Sequence, residues 1–311
     1  MIVCRDFQDL RSLKAPVHWA MGMFDGLHTG HAAVVAAAVE GAAREGGVPA
    51  VLTFRTHPLA HVRPESAPEA IMAGEEEKLA LLEGMGVRAV LSLEFSARLA
   101  SMTPGEFIHS LCSNCLVAEI AVGEDWHFGR GRAGDVGTLK EFGAKYDFTV
   151  TAVPPVLWNG ERVSSTRIRE AVKKADFGAA TAMLGRPYRW RGEVIHGRML
   201  ARMLDYPTAN MKPGLALLPP NGVYAVRASV NGAKYGGVAN LGVRPTVEGE
   251  GGALLLETHL FGLPGDIYSA WLEVEPVRFL RPEKKFPSLD ALKEQLKCDA
   301  RDAAEALKAD E

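Results

Sequence analysis

Short apolar runs alternate with helix-like stretches through the first half of the chain, and this alternation predicts a fold class. The runs predict strands at Val17–Met21, Ala50–Phe54, Arg88–Leu93, Glu119–Val122 and Thr149–Val153. The stretches between and after them predict helices at Ala32–Arg44, Glu75–Met85, Pro104–Cys112, Thr138–Tyr146 and Thr166–Lys174. Strands that alternate with helices form a parallel sheet with right-handed crossovers. We therefore expect an α/β, Rossmann-like domain whose ligands bind at the carboxyl ends of the strands.

The pattern changes after a further helix that begins near Asp176 and leads to Leu184–Pro187. Mostly strands are predicted from there, at Arg191–His196, Val223–Val230, Ala233–Val238, Leu254–Leu260 and Ala270–Val277. Asn231 and Gly232 between two of them are typical of a type I′ hairpin turn. Such a meander closes into a small antiparallel β-barrel.

The chain ends in an amphipathic stretch, Ser288–Lys308, that predicts a C-terminal helix with Ser288 as its N-cap. We place the domain boundary before Leu184-Gly185, where the predicted secondary structure changes from alternating strands and helices to mostly strands. The predicted domains are residues 1–183 and 184–311.

Composition narrows the class of protein. The 311 residues carry a net charge of −3, and 47% of them are hydrophobic, as in a globular chain long enough for two cores. A pI near 6.3 gives no sign of a nucleic-acid surface. The amino terminus lacks a long apolar run, and nowhere do about 18 apolar residues follow one another, as a membrane span needs. We expect a cytoplasmic protein with no membrane or nucleic-acid partner; the sequence leaves its oligomeric state open.

Residues 21–31, MGMFDGLHTGH, place a glycine-rich turn between a strand and a helix. Gly22 and Gly26 let the backbone turn tightly and approach a ligand. Free N–H groups and the positive end of the helix dipole then lie at the loop, where they stabilise an anion. His28 and His31 face the same point and can donate hydrogen bonds to phosphate or, if protonated, offset its charge. The pair could instead be structural or bind a metal, although no third ligand completes a metal set.

Three further polar segments follow predicted strands of the same sheet. His57 follows the second strand, so it emerges at the same sheet edge as His28. Asp125 and Phe128 follow the fourth strand and offer a carboxylate and an aromatic wall for a flat ring. The run 164–169, SSTRIR, opens a helix and presents hydroxyl, N–H and guanidinium groups that can bind a triphosphate. Taken alone, this run is also typical of a simple N-cap.

The four cysteines are too few for a disulfide framework. Cys112 and Cys115 have the CxxC spacing of zinc and redox sites, but no second CxxC is present to complete four ligands. Cys112 also lies late in the predicted helix Pro104–Cys112. We therefore expect buried or incidental thiols.

Nine motifs point to one family when they are taken together. The first half contains GMFDGLHTGH (22–31), TFRTHP (53–58), GEDWHFG (123–129) and SSTRIR (164–169). The second half contains LGRPY (184–188), PTAN (207–210), NGVYA (221–225), GVANLGVRPT (237–246) and LETHL (256–260). In this order they resemble the bacterial bifunctional riboflavin kinase/FAD synthetase family. The resemblance covers nearly the whole chain and implies a nucleotidyltransferase domain followed by a kinase barrel.

The resemblance implies two ATP-dependent reactions. The second domain would transfer the γ-phosphate of ATP to the 5′-hydroxyl of riboflavin. The first domain would join AMP to the phosphate of FMN and release pyrophosphate. Riboflavin, FMN and ATP would be the small-molecule partners, and Mg²⁺ would neutralise phosphate charge in both reactions.

The family's pattern also implies roles for residues of the first domain. His28 and His31 would stabilise the phosphates of ATP, while Arg169, Ser165 and Thr166 would bind the same phosphate chain. Further residues that would border ATP are Gly22, Phe24 and Gly30. Residues that would border the flavin are His57, Asp125 and Phe128.

In the second domain the pattern implies a magnesium site and a base. Thr208 and Asn210 would hold Mg²⁺ and the nucleotide phosphates, because their oxygens are hard ligands. Glu257 would orient or deprotonate the attacking hydroxyl. Without the resemblance, Pro-Thr-Ala-Asn is typical of a turn and Glu257 of a solvated strand position.

The chain departs from the family's usual pattern at a few positions. Ala201 and Asp205 replace glycines in GRMLARMLDYPTAN (197–210), and Asp205 adds a negative charge where anions should bind. Arg55-Thr56 and Trp126-His127 replace the usual pairs in the motifs assigned to the flavin. Two alternatives therefore stay open: an adenylyltransferase with a degenerate kinase domain, and a flavin-binding regulator without catalysis.

Overall fold

The computed structural model describes residues 1–56, 65, 67–72, 74–195, 206–214, 217–244, 253–265 and 267–309. Contacts within the chain divide it into two compact units, Met1–Ser165 and Thr166–Glu311. The first unit is built around a parallel sheet and the second around a closed barrel, so the predicted fold class is confirmed. The predicted domain boundary at 183/184 stays a prediction.

The first unit alternates strands and helices along the chain. Its elements are β1 (Ile2–Cys4), β2 (Val17–Met21), α1 (Thr29–Glu45), β3 (Val48–Phe54), α2 (Glu75–Gly84), β4 (Ala89–Leu93), α3 (Ala97–Ser101), α4 (Pro104–Cys112), β5 (Val117–Gly123), α5 (Val136–Tyr146), β6 (Thr149–Val153), β7 (Leu157–Trp158) and β8 (Glu161–Arg162). The strands β7 and β8 form a separate two-stranded hairpin.

The sheet of the first unit has the strand order β1-β4-β3-β2-β5-β6, with every neighbouring pair parallel. The chain leaves β2 toward β3 on one side and resumes with β5 on the other. Such a reversal leaves a crevice at the carboxyl ends of the central strands, where ligands bind in open α/β sheets. All five residues of β2 are buried, because Trp19 and Met21 pack into one apolar cluster and Ala20 into another on the opposite face.

The predicted strands of this sheet are all present, and two of them, β2 and β6, have the predicted bounds. The sequence missed β1, a three-residue edge strand that pairs with β4. The predicted helix Pro104–Cys112 is confirmed, and Thr103 and Glu106 form a capping box at its start. Helix α1 begins at Thr29, three residues before the predicted Ala32, so the histidines lie at its N-terminus.

The second unit contains most of one helix, a barrel and two further helices. Its elements are α6 (Ser165–Lys173, which begins at the last residue of the first unit), α7 (Phe177–Leu184), β9 (Trp190–Ile195), β10 (Ala209–Met211), β11 (Gly222–Val230), β12 (Ala233–Arg244), β13 (Ala253–Leu260), β14 (Trp271–Arg281) and α8 (Leu289–Ala309). The six strands close into an antiparallel barrel in the order β10-β13-β12-β11-β14-β9. Trp190 and Tyr224, on two of these strands, are fully buried, and their rings pack edge to face with centroids 5.7 Å apart.

The hairpin and the terminal helix of this unit form as predicted. Asn231 and Gly232 have φ values of 50° and 80°, which a type I′ turn requires. Ser288 caps α8, since its hydroxyl accepts a hydrogen bond from the N–H of Ala291 at 3.2 Å. The sequence missed β10, which contains Asn210, because Pro-Thr-Ala-Asn has the composition of a turn. Predicted strand residue His196 lies outside the described residues.

Cys112 and Cys115 are half-buried and carry no disulfide. Burial raises the pKa of the two thiols to about 12 and about 11, so both are protonated and unreactive at neutral pH. Among the helices that the structure describes, none combines the length and apolar character of a membrane span.

Candidate active sites

The loop after β2 leaves the sheet in a conformation that few residues adopt. The N–H of Gly22 still donates to the carbonyl of Leu52 at 3.1 Å, and then Phe24, Gly26 and Leu27 take φ values of 50°, 79° and 42°. At Gly26 a Cβ would lie 3.0 Å from the Cδ1 of Ile71. This left-handed turn therefore needs glycine at Gly26, and it costs energy at the two bulkier positions.

His28 serves as the N-cap of α1. Its Nδ1 accepts a hydrogen bond from the N–H of His31 at 3.2 Å. Because Nδ1 accepts, the ring proton of neutral His28 lies on Nε2, which is therefore a hydrogen-bond donor. A Cβ at Gly30 would lie 3.1 Å from the Cε1 of His28, so the ring packs tightly against the first turn of the helix.

The two imidazole rings stack, with centroids 3.6 Å apart and planes 15° from parallel. His31 also meets the edge of the buried Phe24 ring at 5.4 Å. Desolvation, followed by the charges of His28, Lys78 and Arg162, lowers the pKa of His31 well below its usual 6.5. Contrary to the suggestion that protonation could offset phosphate charge, His31 is a neutral donor or acceptor at physiological pH. Its buried Nδ1 has no hydrogen-bond partner among the described residues.

The SSTRIR motif lies where the two units meet in sequence. The hydroxyl of Ser165 donates to the carbonyl of Asp25, in the histidine loop, at 3.0 Å. Thr166 and Arg169 follow on α6, in the second unit. Both residues of this hydrogen bond belong to the first unit, so the structure places Ser165 beside the histidine loop.

The predicted flavin-binding residues occupy different environments. Asp125 is paired with the guanidinium group of Arg162, whose Nη2 donates to Oδ1 at 2.8 Å. This hydrogen bond lowers the pKa of Asp125. Phe128 is 6% exposed and belongs to the core, while Trp126 stacks on it at 4.7 Å and is partly exposed. His57 lies outside the described residues.

A polar row crosses three strands of the barrel. Asn210 on β10 lies opposite Glu257 on β13, which lies opposite Asn240 on β12. Residues directly opposite in antiparallel strands share a face, with Cβ atoms about 5 Å apart. The amide of Asn210 donates to the carbonyl of Thr208 at 3.3 Å, and its buried Oδ1 has no hydrogen-bond partner in the described part of the chain.

Two further hydrogen bonds lie beside this row, and the first of them holds the segment that contains Thr208. The Nδ1 of His259 lies 2.9 Å from the carbonyl of Pro207, so it carries the proton and donates to that oxygen. Asn240 donates to the carboxylate of Glu283 at 3.2 Å. Ala201 and Asp205 lie outside the described residues, so the effect of the departures there stays a prediction.

Comparison with known proteins gives the family. A sequence model described as FAD synthetase matches residues 11–167, and one described as riboflavin kinase matches residues 184–307. A bifunctional riboflavin kinase/FMN adenylyltransferase from Pseudomonas fluorescens is 41% identical over 310 residues, which is 99% of this chain and 98% of the relative. The chain belongs to the bifunctional riboflavin kinase/FMN adenylyltransferase family.

Another member of this family and one solved structure also match nearly the whole chain. The Escherichia coli K12 member is 37% identical over 287 residues, covering 92% of this chain and 91% of its own. A crystal structure of a Streptococcus pneumoniae protein, described as a macrolide-efflux protein, superposes with a TM-score of 0.83 at 30% identity and covers 96% of both chains. The similarity therefore extends across both halves of the chain.

Sequence patterns did not single out two polar residues near the candidate sites, Lys78 and Asn240. Lys78 sits in the run Glu75-Glu76-Glu77-Lys78, which is typical of a solvated helix face, yet it is 9% exposed. Asn240 belongs to a motif that supported the family but received no role of its own. Its position beside Glu257 follows only from the register of β12 and β13.

Proposed function

We propose that this chain makes FAD in two steps, phosphorylating riboflavin to FMN in the barrel unit and adenylylating FMN in the first unit. One observation carries the proposal. The stacked pair His28 and His31 lies at the carboxyl end of the central strand β2, on a helix N-terminus that favours an anion. The chain matches a family with both activities, and the match covers both halves. This favours an enzyme with both activities over a regulator or a chain with only one of them.

In the first unit, adenylyl transfer needs positioning and charge stabilisation rather than a protein nucleophile. An oxygen of the FMN phosphate attacks the α-phosphorus of ATP, and the bond to the β-phosphate breaks to release pyrophosphate. His28 donates from Nε2 to the phosphate chain, and neutral His31 adds a second hydrogen bond. Both are stronger in the transition state, where negative charge builds up on the leaving pyrophosphate.

Further contacts in the first reaction stay part of the proposal. Ser165, Thr166 and Arg169 bind the phosphate chain through hydroxyl, N–H and guanidinium groups. Gly22, Phe24 and Gly30 shape the loop, since the Phe24 ring buttresses His31 and Gly30 leaves room for His28. For the flavin, Trp126 offers a partly exposed ring beside Phe128, while Asp125 is held by Arg162.

In the barrel, the 5′-hydroxyl of riboflavin attacks the γ-phosphorus of ATP and ADP leaves. Glu257 orients that hydroxyl and accepts its proton. Its place in the row Asn210–Glu257–Asn240 sets the carboxylate beside the amide that would bind the nucleotide.

The donor set in the barrel fits Mg²⁺. The buried Oδ1 of Asn210 is an oxygen acceptor without a hydrogen-bond partner in the described chain, and the amide is oriented by the carbonyl of Thr208. Amide and hydroxyl oxygens suit this hard cation, which keeps water and phosphate as its other ligands. When bound, Mg²⁺ neutralises charge on the phosphates. Three or more His, Cys, Asp or Glu side chains do not cluster anywhere in the described ranges, so we assign no ligands in the first unit.

Product analysis tests the two assignments against each other. The chain is incubated with ATP, Mg²⁺ and either riboflavin or FMN, and flavins are separated by chromatography. We expect FMN and FAD from riboflavin, and FAD from FMN. His31→Ala should abolish FAD formation and spare FMN formation, whereas Glu257→Gln should do the reverse. Equal loss of both products in either variant would refute the assignment of the reactions to the units.

The need for ATP also indicates where in the cell the protein acts. We propose that the protein acts in the cytoplasm, where ATP is made. The cysteines among the described residues are all free thiols, as is usual in a reducing compartment.

A further inference from the structure

Lys78 on α2 is a buried cation that neither proposed reaction uses directly. Its ammonium group donates to the carbonyl oxygens of Phe54 at 3.1 Å and Met23 at 3.2 Å, and lies 3.4 Å from the hydroxyl of Thr53. That hydroxyl in turn donates to the carbonyl of Met23 at 2.9 Å. A charged group is rarely buried unless its hydrogen bonds are satisfied, and here neutral oxygens at two strand ends satisfy them.

The first turn of α2 makes polar contacts with several strands at the carboxyl edge of the sheet. Glu75, one turn before Lys78, contacts the hydroxyl of Ser92 on β4 and the guanidinium of Arg5, which follows β1. Arg55, which follows β3, lies 3.7 Å from the same carboxylate. Together Glu75 and Lys78 bind this helix to the ends of four strands, β1 to β4.

The loop that Lys78 contacts contains a bulky residue in a strained backbone conformation. Met23 directly precedes Phe24, the first residue of the loop with a left-handed conformation (φ 50°). Such a conformation in a bulky residue persists only where surrounding contacts determine it. Two donors, Lys78 and Thr53, converge on the carbonyl oxygen of Met23, immediately before this turn.

Lys78 also contributes a charge to the site. The ammonium is close enough to His31 to disfavour protonation of the imidazole, together with His28 and Arg162. Asp25 and Glu75 face Lys78 and favour its charged form, against the desolvation that lowers its pKa.

We propose that Lys78 is a positioning residue for adenylyl transfer, whose buried ammonium group fixes the loop that carries His28 and His31. The proposal rests on the function proposed for the first unit. Lys78 acts through the carbonyl of Met23 and does not need to touch ATP or FMN. Its contribution is therefore expected in the turnover step more than in ATP binding.

Three variants of the full chain separate the hydrogen bond from the charge. Lys78→Met removes both, Lys78→Gln keeps a donor without the charge, and Lys78→Arg keeps both. We expect kcat for FAD formation from FMN to fall about 10- to 100-fold in Lys78→Met, since a shift of about 1 Å in a catalytic group costs about 100-fold. The KM for ATP should change less than threefold, and FMN formation from riboflavin should be unchanged. Lys78→Arg should recover most of kcat.

A pH profile distinguishes positioning from a general loss of folded protein. Without the charge of Lys78, His31 is protonated at a higher pH, so the acid limb of the FAD-forming reaction should move upward in both Lys78→Met and Lys78→Gln. A fall in the folded fraction would lower the rate at every pH without this shift. Lys140→Met, on an exposed position of α5, is the matched control and should resemble the wild type.

Hydrogen exchange keeps the proposal testable independently of catalysis. Amides of residues 22–31 should exchange at least tenfold faster in Lys78→Met, which has lost the donor to the carbonyl of Met23, than in the wild type or in Lys140→Met. A wild-type chain that made no FAD would overturn the proposed function while leaving this measurement to decide the role of Lys78. Unchanged exchange or kcat within threefold of wild type in folded Lys78→Met would overturn the proposal. If Lys78→Met does not fold, an unshifted acid limb in Lys78→Gln or a kcat below one tenth of wild type in folded Lys78→Arg would overturn it.

Discussion

His28 performs two tasks that a pair of substitutions can separate. Its Nδ1 caps α1 by accepting from the N–H of His31 at 3.2 Å, and its Nε2 is proposed to donate to phosphate. Asparagine is among the preferred N-cap residues, but its side chain is too short to replace the donor at Nε2. His28→Asn should therefore keep the cap and lose the phosphate contact, whereas His28→Ala should lose both.

The expected magnitudes follow from the two kinds of interaction. A hydrogen bond to a charged group contributes about 1.5–3 kcal/mol. If this free energy is lost from the transition state, His28→Asn should slow FAD formation by roughly 10- to 150-fold, since RT is about 0.6 kcal/mol. Its melting temperature should stay close to that of the wild type. His28→Ala should show at least the same kinetic loss and, in addition, lose about 1 kcal/mol of stability, or about 2–4 °C for a unit of this size.

The assay measures FAD formed from FMN and ATP, with FMN formed from riboflavin as the internal control in the same chain. Asp135 caps α5 by accepting from the N–H of Thr138 at 2.8 Å, away from the histidine loop in sequence, so Asp135→Ala is the matched loss of a cap. It should lower the melting temperature like His28→Ala and leave both products unaffected. A His28→Asn variant that makes FAD within threefold of the wild-type rate would show that Nε2 makes no important contact with phosphate.

Two further predictions concern stability. Gly41→Ala should destabilise the first unit by about 3–5 kcal/mol, because the new Cβ would lie 1.9 Å from Oε2 of Glu119 and break the buried pair of Glu119 with His18. Gly84→Ala, at a helical position where the new Cβ would have no neighbour within 4 Å, should instead stabilise the unit by about 0.5–1 kcal/mol. Equal urea midpoints for the two variants would contradict both expectations. His31 has a pKa below its unfolded value of 6.5, so the unfolded chain binds the extra proton and stability should fall as the pH drops below about 6.5. Urea unfolding of His31→Gln should show a weaker dependence over pH 5–7, and an unchanged slope would argue against the shift.

Local patterns along the chain were enough to predict the order of the elements and the position of the histidine loop. Period-2 and helical patterns report which faces of a segment are apolar, and this information is local. That is why β2 and β6 have their predicted bounds and why His28 and His31 could be placed at a strand end. The motifs over nearly the whole chain then indicated the family, which the comparisons confirm.

Which side chains face one another followed from the fold and not from local patterns. The short strands β1 and β10 carry too few residues for a pattern, and they exist because neighbouring strands supply their hydrogen bonds. The burial of Lys78 could not be predicted, since Glu75-Glu76-Glu77-Lys78 is typical of a solvated face. Its ammonium group donates to the carbonyls of Met23 and Phe54, which are distant in sequence. Long-range pairing of polar groups leaves no periodic trace in a sequence, because it depends on strand order and register.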